Sequence, residues 1–183
     1  PIPPPIPSLT YTPLAGGARL VWDNKAETTE DAMLGRVDFA GYKVYRSLYN
    51  PSNWELVAAF DNVDEPVLIK NTEGVIINAK QDPGSGEIIP HTDSRWADIA
   101  EENYVKVDLP AVSNSYDDFG GEFLGIDYPA PINGLQYFYV IVAFDHDKEA
   151  TADQPALASQ ESAKSNYMKD PSTGAPQSVV PTK

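Results

Sequence analysis

Apolar and polar positions alternate along both halves of the chain, and a period of two is the pattern of a β-strand with one buried face. Ala18–Asp23 places Leu20 and Trp22 on one side. Gly41–Ser47 places Tyr42 and Val44 on one side and Lys43 on the other. Trp54–Phe60 makes a third strand, after a turn built from Asn50, Pro51, Ser52 and Asn53. The run LQYFYVIVAFD, Leu135–Asp145, is apolar at both parities, which predicts a strand covered on both faces and central in its sheet. The Asn133-Gly134 pair before it is a tight-turn signal. A last strand is expected near Glu161–Met168, with a further extended piece at Ser178–Val180.

Residues 61–113 break this rhythm. Val67–Lys70 and Val75–Asn78 flank Asn71–Gly74 and predict a hairpin. Asp82–Gly86 is a second turn, followed by Glu87-Ile88-Ile89. Thr92 or Asp93 is a candidate cap for one short helix, Ser94 to Glu102, with Trp96 and Ile99 on a common face. Val67-Leu68-Ile69, Val75-Ile76-Ile77 and Ile88-Ile89 make this insertion too apolar for a solvated loop, so an ordered lobe is expected. The domain plan is therefore an extended Pro-rich arm at 1–8, a β-domain at 9–168 interrupted by the insertion 61–113, and a tail at 169–183.

The ordered set of strand signatures resembles the fibronectin type III family. It runs from the Pro-rich entry Ile6–Thr10 through Leu20-Val21-Trp22, Gly41–Arg46 and Trp54-Glu55-Leu56-Val57. Ser115-Tyr116-Asp117-Asp118, Asn133–Val140 and Glu161-Ser162 complete it. The resemblance covers roughly residues 5–60 and 114–168. It implies an all-β, immunoglobulin-like antiparallel β-sandwich with an inserted hairpin-and-short-helix lobe. It also implies that Tyr137 is the tyrosine-corner residue, its hydroxyl tied back to the backbone before the strand. The style is that of modules in large exported bacterial proteins. The first residue is Pro, and the expectation is a mature chain or a piece of a longer one. The expected location is the periplasm, the cell surface or the extracellular space. No Arg-Gly-Asp is present, so integrin-type adhesion does not carry over.

Composition narrows the function classes. Of 183 residues, 27 are Asp or Glu and 13 are Lys or Arg, a formal charge of -14. That disfavours a nucleic-acid partner, whose binding needs clustered Lys and Arg, and an anionic membrane surface. No segment approaches the roughly 18 apolar residues of a membrane span. Without Cys there are no disulfides and no thiolate metal sites.

Candidate chemistry is sparse. Asp145, Asp147, Glu149 and Asp153 form a weak calcium pattern, since Ala150 and Ala156 stand where a calcium loop needs Gly and Glu. A solvated acidic loop is the better reading. Asp117-Asp118 and Asp61, Asp64 and Glu65 pair carboxylates without any sign of the cleft that would split their pKa values. His91 and His146 have no nucleophile elbow to serve. The expectation is a protein without cofactor or catalysis, a binding and scaffolding module for protein partners in a larger assembly. A carbohydrate- or surface-adhesive module is the alternative. The stiff arm, with Pro3, Pro4, Pro5 and Ile6, and the tail, with Val179 and Val180, are candidate contact elements. Tyr45, Tyr49, Trp96 and Tyr104 are candidate surface aromatics, and for Trp96 the favoured role is anchoring the insertion.

Overall fold

The structure, a computed structural model, describes residues 2–61, 68–70, 75–77, 79–90, 93–100, 103, 109–123, 126–145 and 159–182. It is all-β, with antiparallel sheets. The strands are β1 (Leu9–Leu14), β2 (Gly17–Trp22), β3 (Phe39–Leu48), β4 (Glu55–Asp61), β5 (Leu68–Lys70), β6 (Val75–Ile77), β7 (Ala79–Gln81), β8 (Ile88–Pro90), β9 (Ser115–Asp118), β10 (Gly121–Phe123), β11 (Ile126–Tyr128) and β12 (Tyr137–Asp145). One four-residue helical turn, α1 (Lys25–Thr28), follows β2.

Two three-stranded sheets, ordered β1-β2-β9 and β12-β3-β4, share one hydrophobic core. The first contributes Leu9, Tyr11, Leu20 and Trp22; the second contributes Tyr42, Val44, Phe60, Tyr139 and Ile141. Leu20, Trp22, Tyr42 and Val44, which the alternation assigns to one face, are all buried, as are Tyr137, Tyr139 and Ile141 of the apolar run in β12. Aromatic rings supply much of the contact: Trp22 meets Tyr42 edge-on at 5.5 Å, and Tyr11 meets Tyr139 at 5.7 Å. Each fully buried large side chain contributes about 1.5–3 kcal/mol.

The sheets differ on their outer faces. Along β2 and β9 the outward residues Arg19, Val21, Ser115 and Asp117 are exposed. Along β3, β4 and β12 both faces are buried, because a second cluster covers the outside. Tyr45, Leu56, Val140, Val142 and Phe144 form it, packed under Trp54, Leu109, Phe123 and Tyr167. Tyr45 is therefore a core residue and not the surface aromatic expected of it. Gly41 fits this crowding, since a Cβ there would collide with the Phe60 carbonyl and the Phe144 ring.

Lys43 also lies on this covered face, 1% exposed and paired with Glu161. The Phe144 ring is 5.6 Å from its ammonium. Burial, with the nearby positive Lys164, pushes Lys43 down to about 7.

β12 is an edge in its hydrogen-bonded ladder, not the central strand that its apolarity suggests. Its free edge is closed by the chain from 159 to 179, yet no strand forms at 161–168 beyond single bridges. Backbone and side chains share the closing: Asp145 N–H donates to the Gln160 carbonyl and Ser162 N–H to the Ala143 carbonyl. Ser162 Oγ accepts from Ala143 N–H at 3.0 Å. Asn166 Oδ1 accepts from Ile141 N–H at 3.1 Å, and its Nδ2 donates to the Ile141 and Pro7 carbonyls. Val179 exchanges two backbone bonds with Tyr137. An edge covered in this way offers no template for a foreign strand.

The insertion leaves and returns at one point, where Asp61 N–H donates to the Pro110 carbonyl. The expected hairpin pairs as β5–β6, and the turn expected at 82–86 joins a second antiparallel pair, β7–β8. The expected helix does not form among the described residues of 94–102: a 3-10 turn, Trp96–Asp98, gives way to extended backbone at Ile99. Acidic Glu101 and Glu102 would sit at the negative end of such a helix, which disfavours it. Ile99 is instead buried, and its carbonyl accepts from Lys80 Nζ at 3.0 Å.

Candidate functional site

The two ends of the sheet pair are chemically distinct. At the end where β1 starts, residues 2–8 lie along the domain itself. Ile2 N–H donates to Asp31 Oδ2 at 2.6 Å, and Asp23 N–H donates to the Ser8 carbonyl. Pro4 is buried, Pro5 is half-buried, and Pro3 and Ile6 remain exposed. The arm and the loop at 29–32 enclose a cavity of about 300 Å³ lined by Ile2, Pro4, Ala26, Asp31 and Phe39 among others. Asp31 is held below its usual range, first by the Ile2 amide. Of the proposed contact residues in this arm, Pro4 is thus spent on the domain's own surface.

The tail meets a similar fate at the opposite end. Val179 is buried in the main core, Val180 is half-buried, Gly134 N–H donates to the Pro181 carbonyl, and Thr182 N–H donates to the Leu14 carbonyl. The expected anchor at Val179 exists, but it holds the tail to its own domain. It is not available to a partner.

That second end gathers four connections: β1–β2, β3–β4, β9–β10 and the loop from β11 to β12. On them stand Leu48, Tyr49, Phe119 and Ile132, all exposed, the last three at 58%, 52% and 58%. Turns are normally polar, so apolar side chains on several neighbouring connections are notable. Tyr49 has φ 68°, the left-handed region that a bulky residue rarely enters. Four bonds hold the turn: Tyr49 N–H to the Gln136 carbonyl, Ser47 Oγ and Ser52 N–H to the Asn50 carbonyl, and Ser52 Oγ to Asn50 Oδ1. The ring is thereby presented outward at a conformational cost. Tyr137 braces the same end, its hydroxyl accepting from Ile132 N–H at 2.9 Å, the bond that a tyrosine corner makes.

Beneath this end a buried charge pair ties the sheets together. Arg46 of β3, 5% exposed, reaches Asp118 of β9, 1% exposed, at 3.0 Å. Asp118 also accepts from the Tyr139 hydroxyl at 2.7 Å and from Gly120 N–H at 3.0 Å. Arg46 donates further to the Pro129 carbonyl. Burial opposes the Arg46 charge, but Asp118 outweighs it and raises the guanidinium. Burial and the Asp118 charge push the Tyr139 phenol far up. Both Asp118 oxygens and the Arg46 Nη1 are thus committed to structure.

The remaining expectations fall elsewhere. Asp145 is buried and caps its strand, its Oδ1 accepting from Gln160 N–H at 2.5 Å. Asp147, Glu149 and Asp153, like His91, Tyr104 and His146, lie outside the described residues. Trp96 is half-buried within the lobe, with the Lys80 ammonium 4.3 Å from its ring centre. Phe119, Ile132 and the Arg46–Asp118 pair escaped the reading of the chain. A signal existed for Ile132, an apolar residue set between Pro131 and Asn133-Gly134 in a turn.

No family model, no curated protein and no solved structure matches this chain.

Proposed function

We propose that this chain is a fibronectin type III-like β-sandwich. It works as a non-catalytic binding and scaffolding module of an exported bacterial protein, docking on other subunits or domains of a larger assembly. The fold reading is supported by the strand orders β1-β2-β9 and β12-β3-β4 and by the Tyr137–Ile132 bond. The docking reading is carried by one observation: exposed apolar side chains collect on the connections at one end, with Tyr49 held there in a left-handed conformation. Strain of this kind persists where surrounding structure enforces it, commonly at contact sites.

The test separates docking from folding. Tyr49→Asn suits the left-handed backbone better, so the variant should be as stable as the wild type or more so, by up to about 1 kcal/mol. In native extracts, Tyr49→Asn and Phe119→Ser should shrink the complex that carries this chain, as read by blue-native electrophoresis. Complexes of unchanged size with both variants would sink the docking role.

Carbohydrate binding is a second reading, favoured only by the exposed Tyr49 ring beside Asn50 and Asn53 in the chain. Aliphatic Leu48 and Ile132 at the same end do not stack on sugars. Glycan-array binding lost in Tyr49→Asn but kept in Phe119→Ser would favour it.

A further inference from the structure

The β10–β11 hairpin joins the apolar end to an unusual charge arrangement. Glu122 stands directly opposite Asp127 in its register, so both carboxylates project from one face. Like charges directly opposite in an antiparallel pair destabilise it. Both residues are exposed, and among the described residues neither makes an ion pair. The neighbouring acid Asp117 differs, being neutralised by two bonds from Arg19. Phe119, just ahead of the hairpin, is among the exposed apolar residues of this end. Folding therefore leaves an acidic pair next to an apolar surface, with no internal cation assigned to it.

We infer that the end bearing Leu48, Tyr49, Phe119 and Ile132 docks a basic-rimmed apolar surface of another protein. A Lys or Arg of that partner would sit between Glu122 and Asp127 while its apolar neighbours cover the exposed side chains. This inference rests on the docking reading and names its partner's chemistry. A guanidinium suits the pair best, because its planar fork serves two carboxylates at once. A second copy of this chain is a poor occupant, since its own charge is -14.

The experiment uses the full ¹⁵N-labelled chain and three synthetic peptides. Acetyl-Leu-Arg-Leu-Arg-Leu amide carries both features. One comparator replaces Arg by Glu, and the other replaces Leu by Ser. The Arg/Leu peptide is expected to shift amides at 48–49, 119–123, 126–128 and 132–134, and to bind at least tenfold more tightly than either comparator. Glu122→Gln with Asp127→Asn should weaken it at least fivefold and flatten its salt dependence. Glu30→Gln with Asp98→Asn removes the same charge from exposed sites elsewhere and should change it by less than twofold. Equal weakening by the two double variants would overturn the inference, exposing mere attraction to a net negative protein. So would equal binding of the Glu/Leu peptide, or shifts confined to the opposite end around Ile2 and Met33. Should the peptide ignore this end while Tyr49→Asn still shrinks the native complex, the docking reading stands and the basic partner does not.

Discussion

Replacing Asp118 by Asn tests how the two sheets are held together. The substitution preserves shape but removes the charge that faces Arg46. Asp118 is 1% exposed and takes three hydrogen bonds, from Arg46, Tyr139 and Gly120. Removing one partner of a buried ion pair costs about 3–5 kcal/mol, because the other charge stays buried and uncompensated. Here the lower figure applies. Arg46 keeps the Pro129 carbonyl and has the half-exposed Glu55 at 3.7 Å. For a chain of this size about 3 kcal/mol lowers Tm by roughly 6–12 °C. Scanning calorimetry and urea unfolding of the single and double variants provide the assay. Asp118→Leu with Arg46→Met removes both charges and should recover at least about 2 kcal/mol of the Asp118→Leu loss, since a well-packed apolar pair replaces a buried ion pair at little cost. A Tm drop below about 2 °C for Asp118→Asn, or strict additivity in the double variant, would refute the reasoning.

Lys43 predicts an unusual pH profile. Its folded pKa near 7 lies below its ordinary value, so the unfolded chain binds more protons between about pH 7 and 10.5, and stability should rise with pH there by up to about 1.4 kcal/mol per unit. Glu161, which favours the charged form, moderates the slope. Above pH 10 the sign reverses, because buried Tyr42, Tyr45 and Tyr139 have raised pKa values and resist the ionisation that unfolding allows. Urea titrations across pH 7–11 should show this maximum, and Lys43→Met should abolish the rising limb; a wild-type curve flat from 7 to 10 contradicts the assignment. Asn166→Ala loses two hydrogen bonds on the β12 edge and one to the Pro7 carbonyl, so it should cost about 2–3 kcal/mol and cause concentration-dependent association visible by light scattering. A monomeric variant of wild-type stability would show that the edge needs no such cover. Tyr137→Phe strands the Ile132 N–H and should cost about 1–2 kcal/mol by thermal denaturation, with no change in the core aromatics; a neutral effect would mean that water replaces the hydroxyl.

Much of the framework follows from the chain alone. Strand positions rest on local alternation, and a side chain at a given parity keeps its face whatever surrounds it. Leu20, Trp22, Tyr42 and Val44 were legible for that reason, as were the turns at Asp82–Gly86 and Asn133-Gly134. The candidate surface was legible at Tyr49, where an aromatic stands beside an Asn-Pro-Ser turn, and in the signal at Ile132 between Pro131 and Asn133-Gly134. Tertiary structure decided the rest, because it depends on what covers a face and not on which face a residue occupies. Tyr45 and Lys43 alternate like half-exposed residues, yet packing under Trp54, Leu109, Phe123 and Tyr167 buries that side of the sheet. The apolarity of β12 reports burial of both faces and is silent about ladder neighbours; the strand is an edge, closed by isolated backbone bonds and by the side chains of Ser162 and Asn166, which no strand pattern announces. Arg46 and Asp118 are 72 residues apart, and only the approach of two sheets makes them one buried pair. The same approach brings Phe119, Ile132 and Tyr49 to one end. A surface assembled from separate turns has no period in the chain, and it exists only once the sheets have packed.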